Sequence, residues 1–76
     1  MQTQYVCNCY NNYNDITYGI ECDTLDEAMK YVSHYRKLIN DNGEEDQHSH
    51  IEVAKETVDE EGNILSHKSI KSFSIW

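Results

Sequence analysis

A chain of 76 residues is expected to form one domain, residues 1–76, and is too short to enclose a deep substrate pocket. Fourteen acidic residues against six basic ones give a formal net charge of -8, which opposes direct binding to nucleic acid or to an anionic membrane. Because 38% of the residues are hydrophobic and six are tyrosines, we expect the chain to fold rather than to stay disordered.

The first ten residues, MQTQYVCNCY, lack the basic and apolar regions of a secretory signal. No run of about 18 apolar residues follows that could span a bilayer. We therefore expect a cytoplasmic protein. Its three cysteines, an odd number, then favour reduced and buried thiols over a disulfide framework.

Two segments near the start, residues 4–10 and 16–22, place apolar side chains at every second position, which predicts two β-strands. The stretch NNYND between them is rich in Asn and Asp, which favour turns, so the strands are expected to form a hairpin. A register with Cys9 opposite Ile16 gathers the apolar rows of both strands on one face.

A helix is predicted over residues 25–40. Thr24 can cap its first turn, and Glu27, three residues later, completes a capping box. Asn42 and Gly43 supply the stop signal. Apolar side chains recur at spacings of three and four, which predicts one buried face. That face consists of Leu25, Ala28, Met29, Val32, Tyr35 and Ile39.

Two further strands are predicted over residues 50–58 and 64–72, separated by a turn in DEEGN. The last residues, FSIW, are expected to pack against the helix or a sheet edge, or else to contact a partner, because an exposed apolar tail would form a sticky patch. The order β-β-α-β-β predicts an α+β, two-layer fold: a mainly antiparallel four-stranded sheet with one helix on one face.

This order also predicts where the acidic residues lie. The second strand runs toward the start of the helix, and the third strand returns to that end. The first acidic cluster is therefore expected there, and it consists of Glu21, Asp23, Asp26, Glu27, Asp59, Glu60 and Glu61. The helix spans about 22 Å at 1.5 Å per residue. It should carry the second acidic cluster to the opposite end, and this consists of Asp41, Glu44, Glu45 and Asp46.

Two interpretations of these clusters remain open. Turns and helix starts favour Asp and Glu for capping and solubility, which explains each cluster locally. The basic residues, however, lie outside both clusters, and the resulting repulsion is more easily understood if a basic partner offsets it. The six basic residues are Lys30, Arg36, Lys37, Lys55, Lys68 and Lys71.

Five residues have side chains that bind zinc in other proteins: Cys7, Cys9, Cys22, His48 and His50. Their spacing lacks the paired CxxC knuckles of common zinc sites. The alternative is that the cysteines form the sheet layer facing the helix, while the two histidines lie in a solvated entrance to the third strand. We expect no metal site and no cofactor.

No catalytic motif is present. Cys9 or Cys22 could be paired with His34 or His67 as a nucleophile and base, but no oxyanion pocket or third orienting group can be identified. The acidic stretch after the helix lacks the DxDxDG pattern of a calcium loop. We therefore expect a protein that is not an enzyme.

Two tyrosines of the first hairpin, Tyr10 and Tyr13, have no predicted place in the core. Exposed tyrosines are common anchors of protein interfaces, so both are candidate partner contacts. The alternative is that they shield the back face of the sheet.

In size and charge pattern, the chain resembles the small acidic proteins that phages and other mobile elements use to disarm bacterial defences, including anti-CRISPR proteins and other DNA mimics. The resemblance rests on 76 residues without proline, on the runs ECDTLDE, DNGEED and VDEEG, and on the α+β pattern. Members of this broad class often present carboxylates where a nucleic-acid-binding protein expects phosphates.

The resemblance implies an inhibitor in the host bacterial cytosol that occupies a basic, nucleic-acid-binding surface, for example on a CRISPR effector subunit. Both acidic clusters, with Tyr10 and Tyr13, are then the predicted partner-binding residues. The protein itself would bind neither nucleic acid nor membrane, as a monomer or a homodimer. The alternative function is that of a small zinc-binding or structural homodimeric protein.

Overall fold

The computed structural model describes residues 1–75. It contains one helix and four strands, with a short 3₁₀ turn at Glu45–Gln47. The elements are β1 (Gln2–Asn11), β2 (Ile16–Cys22), α1 (Leu25–Asp41), β3 (His48–Val58) and β4 (Ile64–Ser74). Every pair of neighbouring strands is antiparallel, in the order β2-β1-β3-β4. The predicted α+β class and β-β-α-β-β order are confirmed.

The core lies between α1 and one face of the sheet, where the helix packs against β1, β2 and β3. Its largest fully buried side chains are Ile39, Ile51, Val53, Cys7 and Cys9. Alternation along β1 and β3 points these strand residues toward the helix, and the three- and four-residue spacing along α1 points Ile39 back toward them. The opposite face of the sheet, called here the open face, has no helix over it among residues 1–75.

Both ends of α1 follow the local signals in the sequence. The Glu27 amide donates to the Thr24 hydroxyl oxygen (3.2 Å) at the N-terminus. At the C-terminus the Glu44 amide donates to the Ile39 carbonyl (2.9 Å), and Gly43 takes a φ of +65°. This is the Schellman arrangement, which favours glycine because a left-handed residue without a Cβ is unstrained. Within residues 1–75, no helix combines the length and apolarity needed to cross a membrane.

The predicted hairpin register is wrong by two residues. Cys9 lies opposite Tyr18 rather than Ile16. The hairpin closes through the Asn11 amide and the Asp15 carbonyl (2.9 Å), with Asn14 at a φ of +63°. A β-bulge then leaves Thr17 unpaired, so Ile16 lies opposite Tyr10 and turns to the open face.

A second irregularity overturns the expected solvated position of His48. Its side chain is buried, and β3 begins at this residue. The register of β3 shifts between Tyr10 and Asn11 and leaves Ser49 unpaired. As a result His48 stacks on Tyr18 on the helix side, while His50 stacks on Tyr10 on the open face. The two histidines therefore cannot act as neighbouring ligands of one metal ion.

The C-terminal segment packs as predicted over its described part. Ile75 is buried in the core, and the partly buried Phe73 packs against the core. The Arg36 Nε donates to the Ser74 carbonyl (2.9 Å), which ties this segment to α1. Trp76, which was included in the predicted apolar tail, lies outside the described residues.

Candidate acidic binding surface

Strand pairing brings the members of the first acidic cluster to one end of the sheet. Cys22, at the end of β2, lies opposite Tyr5, and Val58, at the end of β3, lies opposite Gln2. Both neighbours belong to the first half of β1. The two parts of the cluster are nevertheless two strand spacings apart, about 10 Å, so β1 divides the cluster into two groups.

Five of the seven side chains in the first cluster are free to meet a partner. They are exposed and make no hydrogen bond or ion pair with residues 1–75, and they are Glu21, Asp23, Asp26, Glu60 and Glu61. Glu27 is different, because its Oε1 accepts a hydrogen bond from the Thr24 hydroxyl (3.3 Å) at the helix cap.

Asp59 has a structural role in the turn between β3 and β4. Its carboxylate accepts from the Asn63 amide (2.8 Å), the Asn63 side chain (3.1 Å) and the Glu61 amide (2.9 Å). These hydrogen bonds, led by those from Asn63, lower the pKa of Asp59 below its ordinary value. Its predicted role as a partner contact is therefore secondary to holding the turn.

The second acidic cluster lies at the opposite end of the sheet, beside the β1–β2 hairpin. Asp41 and Asp46 are exposed, and Glu45 is half-buried. Glu44 is instead tied to the protein, since it accepts from the Tyr18 hydroxyl (3.3 Å) and lies 3.6 Å from His48 Nε2.

Asp41 occupies an unfavourable position for helix stability. It is the last residue of α1, and the last turn contains no basic residue. The negative end of the helix dipole disfavours a carboxylate there. Helix stability therefore does not explain why an aspartate occupies position 41, whereas a contribution to binding would explain it.

The exposed carboxylates are not neutralised by lysine or arginine. Within residues 1–75, no Lys or Arg nitrogen lies within 4.0 Å of an Asp or Glu oxygen. The ion pairs found among these residues all join a histidine to a glutamate. Net negative charge is therefore retained at both ends of the molecule, where it can attract a basic partner.

Part of the basic charge gathers elsewhere, on the side of β4 that faces away from the open face. Lys55 lies opposite Lys68, and Lys71 lies opposite Val53, whose side chain points into the core. Lys71 Nζ is 5.1 Å from the centre of the Phe73 ring. None of these three lysines lies within 4.0 Å of a carboxylate oxygen of residues 1–75.

The two hairpin tyrosines have different environments. The Tyr10 hydroxyl donates to Glu52 Oε1 (3.2 Å), and its ring stacks on His50 with 4.9 Å between ring centres. Tyr10 therefore shields the open face, which was the alternative to a partner contact for this residue. Tyr13 is 85% exposed, and its ring contacts no other ring in the described chain. Of the two, Tyr13 is the better candidate for a partner contact.

Sequence reasoning missed a charged network on the open face. His67 Nδ1 lies 2.6 Å from Glu56 Oε2, and His67 Nε2 lies 3.0 Å from Glu52 Oε1. Gln4 Nε2 donates to the other oxygen of Glu56 (3.0 Å), whose side chain is nearly buried. Glu56 and His67 are cross-strand partners, a relation that only the β3–β4 register reveals.

We expect a His67→Gln substitution to reduce stability in a manner that depends on pH. The hydrogen bonds from His67 to Glu56 and Glu52 raise the pKa of the imidazole above its ordinary value. This stabilisation is complete below about pH 6.5, the ordinary pKa of histidine in an unfolded chain, as long as both carboxylates stay ionised. It is lost as the pH rises through the pKa of His67 in the folded protein. The largest loss should be up to about 1 kcal/mol, because the imidazole is partly exposed.

Urea unfolding at about pH 6 and pH 9 would measure this difference. A matched control is His34→Gln, since His34 contacts tyrosine rings and makes no ion pair within the described residues. A stability difference between wild type and His67→Gln that is the same at both pH values would contradict the role of His67.

The cysteines lie in the helix-facing layer, as their structural reading proposed. Burial raises the pKa of the Cys7 thiol to about 12, with a further contribution from Cys22, and burial also raises the pKa of Cys9. Both thiols are therefore protonated at neutral pH, which makes them poor nucleophiles. Cys9 Sγ lies 3.6 Å from His48 Nδ1, so two of the five residues considered as zinc ligands are neighbours. Among the described residues, no three His, Cys, Asp or Glu side chains converge as metal ligands.

Comparison with known proteins adds no relative from which a function could be carried over. No protein-family model, curated protein or solved structure matches this chain. The functional interpretation therefore depends on the charges and contacts described above.

Proposed function

We propose that this protein is a non-enzymatic acidic binding protein that occupies a basic, nucleic-acid-binding surface of another protein. The observation that carries the proposal is the lack of any Lys or Arg ion pair to the carboxylates of residues 1–75. The side chains of eight exposed or half-buried acidic residues also make no hydrogen bond or ion pair with the rest of the described chain. They are Glu21, Asp23, Asp26, Asp41, Glu45, Asp46, Glu60 and Glu61.

The chemistry of such a partner follows from these groups. Surfaces that bind nucleic acid present Lys and Arg to phosphate oxygens, and carboxylates offer the same partners a negative oxygen acceptor. The two acidic clusters lie at opposite ends of α1, a separation that corresponds to several phosphate spacings along a duplex. Occupation of the basic surface would exclude nucleic acid from it.

The resemblance to phage-borne inhibitors makes a bacterial defence protein, such as a CRISPR effector subunit, the first partner to test. Inhibition would then arise from competition with nucleic acid in the host cytosol, without any chemical step.

The proposal can be tested by capture and displacement. The immobilised protein is incubated with bacterial lysate at low salt, and the retained proteins are identified and purified. The purified partner is then bound again in the presence of increasing double-stranded DNA. We expect the partner to be a nucleic-acid-binding protein and DNA to displace it.

Retention of proteins that DNA does not displace would overturn the proposal, because binding would then use a different surface. A control bait with three of the four charges of the second cluster removed, Asp41→Asn with Glu45→Gln and Asp46→Asn, separates specific capture from adsorption to the resin.

A further inference from the structure

A small hollow lies at the end of the molecule that carries the second acidic cluster. Its volume is about 330 Å³. The β1–β2 hairpin forms one wall, and the segment before β3 forms the other. The hollow is lined by Asn11, Asn12 and Tyr13 on the hairpin, by Asp46 and Gln47 on the opposite wall, and by Thr17 and His48. Folding thus unites Tyr13 and Asp46, two predicted contact residues that are distant in sequence.

The walls of this hollow are held by specific hydrogen bonds. The Asn12 side-chain amide donates to the Asp46 carbonyl (2.8 Å), which joins the two walls. The Asn11 side-chain oxygen accepts from the amides of Tyr13 (2.8 Å) and Asp15 (3.0 Å), which fixes the hairpin tip. Thr17 Oγ1 and His48 Nδ1 are hydrogen-bonded to each other (3.2 Å). The hollow is therefore formed before any ligand arrives, which lowers the entropic cost of binding.

Two groups of the hollow are left available for a ligand. The Asp46 carboxylate is exposed and receives no hydrogen bond from residues 1–75, since Asn12 binds only its backbone carbonyl. The Tyr13 ring is 85% exposed and has no ring neighbour in the described chain. An exposed carboxylate and an exposed aromatic ring that line one hollow suit a cation with a planar face.

We propose that this hollow binds the guanidinium group of an arginine side chain from a basic partner. A guanidinium donates two parallel hydrogen bonds to a carboxylate and stacks its plane on an aromatic ring. An ammonium group of lysine carries the same charge but cannot make both contacts in this way. The inference rests on the proposed function, because it names the group of the basic partner that this end recognises.

Two short peptides of equal charge, hexa-arginine and hexa-lysine, test the inference without knowledge of the natural partner. Binding of each fluorescently labelled peptide to the full chain is measured at low salt. We expect hexa-arginine to bind about three- to fivefold more tightly, the range for an exposed cation–π contact. The preference should disappear in Tyr13→Leu and in Asp46→Asn.

Asp41→Asn is the matched control, since it removes one charge from the same end but lies outside the hollow. It should weaken both peptides equally and keep the preference for arginine. Equal affinities in wild type, or a preference that persists in both Tyr13→Leu and Asp46→Asn, would overturn the arginine site. If both peptides bind equally and salt weakens both, the arginine site fails while the acidic surface stands; if neither binds, both proposals fail.

Discussion

Neutralising three of the four carboxylates of the second acidic cluster is expected to weaken binding to a basic partner about tenfold or more, equivalent to at least about 1.4 kcal/mol. The variant combines Asp41→Asn, Glu45→Gln and Asp46→Asn. These three carboxylates make no hydrogen bond or ion pair with the rest of the described chain, so neutralising them should leave the fold intact. One of them, Asp46, lines the same hollow as the exposed Tyr13, which gives this end both charge and an aromatic anchor.

The first acidic cluster provides a control of equal charge. Asp23→Asn with Glu60→Gln and Glu61→Gln also takes the formal charge from -8 to -5. Because β1 divides this cluster, we expect a smaller loss of affinity, about two- to threefold, mainly through a slower association rate. Titration calorimetry or surface plasmon resonance with the captured partner would compare the two variants. Equal losses would mean that net charge alone, and not the second cluster, determines binding.

Ile39→Ala is expected to reduce the free energy of unfolding by about 3 kcal/mol, within the range for deleting a large aliphatic side chain from a core. Ile39 is fully buried between α1 and the sheet, and its carbonyl also accepts the Glu44 amide that ends the helix. A domain of this size is expected to have only about 4–11 kcal/mol of stability. The substitution should therefore lower the urea midpoint strongly.

Ile64→Ala deletes the same atoms from an exposed site, since Ile64 is 58% exposed at the start of β4. We expect it to cost less than about 0.5 kcal/mol, as is usual for surface substitutions. If the two variants had equal urea midpoints, the core described between α1 and the sheet would be contradicted.

The order of elements could be predicted because its signals are local. Thr24 and Glu27 mark the start of α1, and Asn42 with Gly43 marks its end within a residue or two. Such signals act within one turn of the chain, so no knowledge of distant contacts is needed. The order then determines which end of the sheet each acidic cluster occupies.

The details of strand pairing could not be predicted in the same way. The unpaired residues Thr17 and Ser49 each shift the register and turn a neighbour, Ile16 or His48, to the face opposite the one that simple alternation predicts. Bulges of this kind are settled by packing between strands, which a period of two residues does not encode.

The candidate site shows the same division. The ends that the acidic residues occupy followed from topology, but the sequence could not show that Asp59 and Glu44 are taken up by internal hydrogen bonds. Nor could it show that Lys55 and Lys68 lie opposite each other, since their pairing depends on the register between β3 and β4. Availability of a charge is thus a property of tertiary contacts.

The salt dependence of partner binding tests most directly whether unneutralised carboxylates form the binding surface. The dissociation constant is measured for the captured partner at about 50 and 500 mM salt, over which the Debye length falls to a few ångströms. We expect affinity to fall at least about tenfold, because contacts between exposed opposite charges are screened. A dissociation constant that is the same at both salt concentrations would contradict a surface built from free carboxylates.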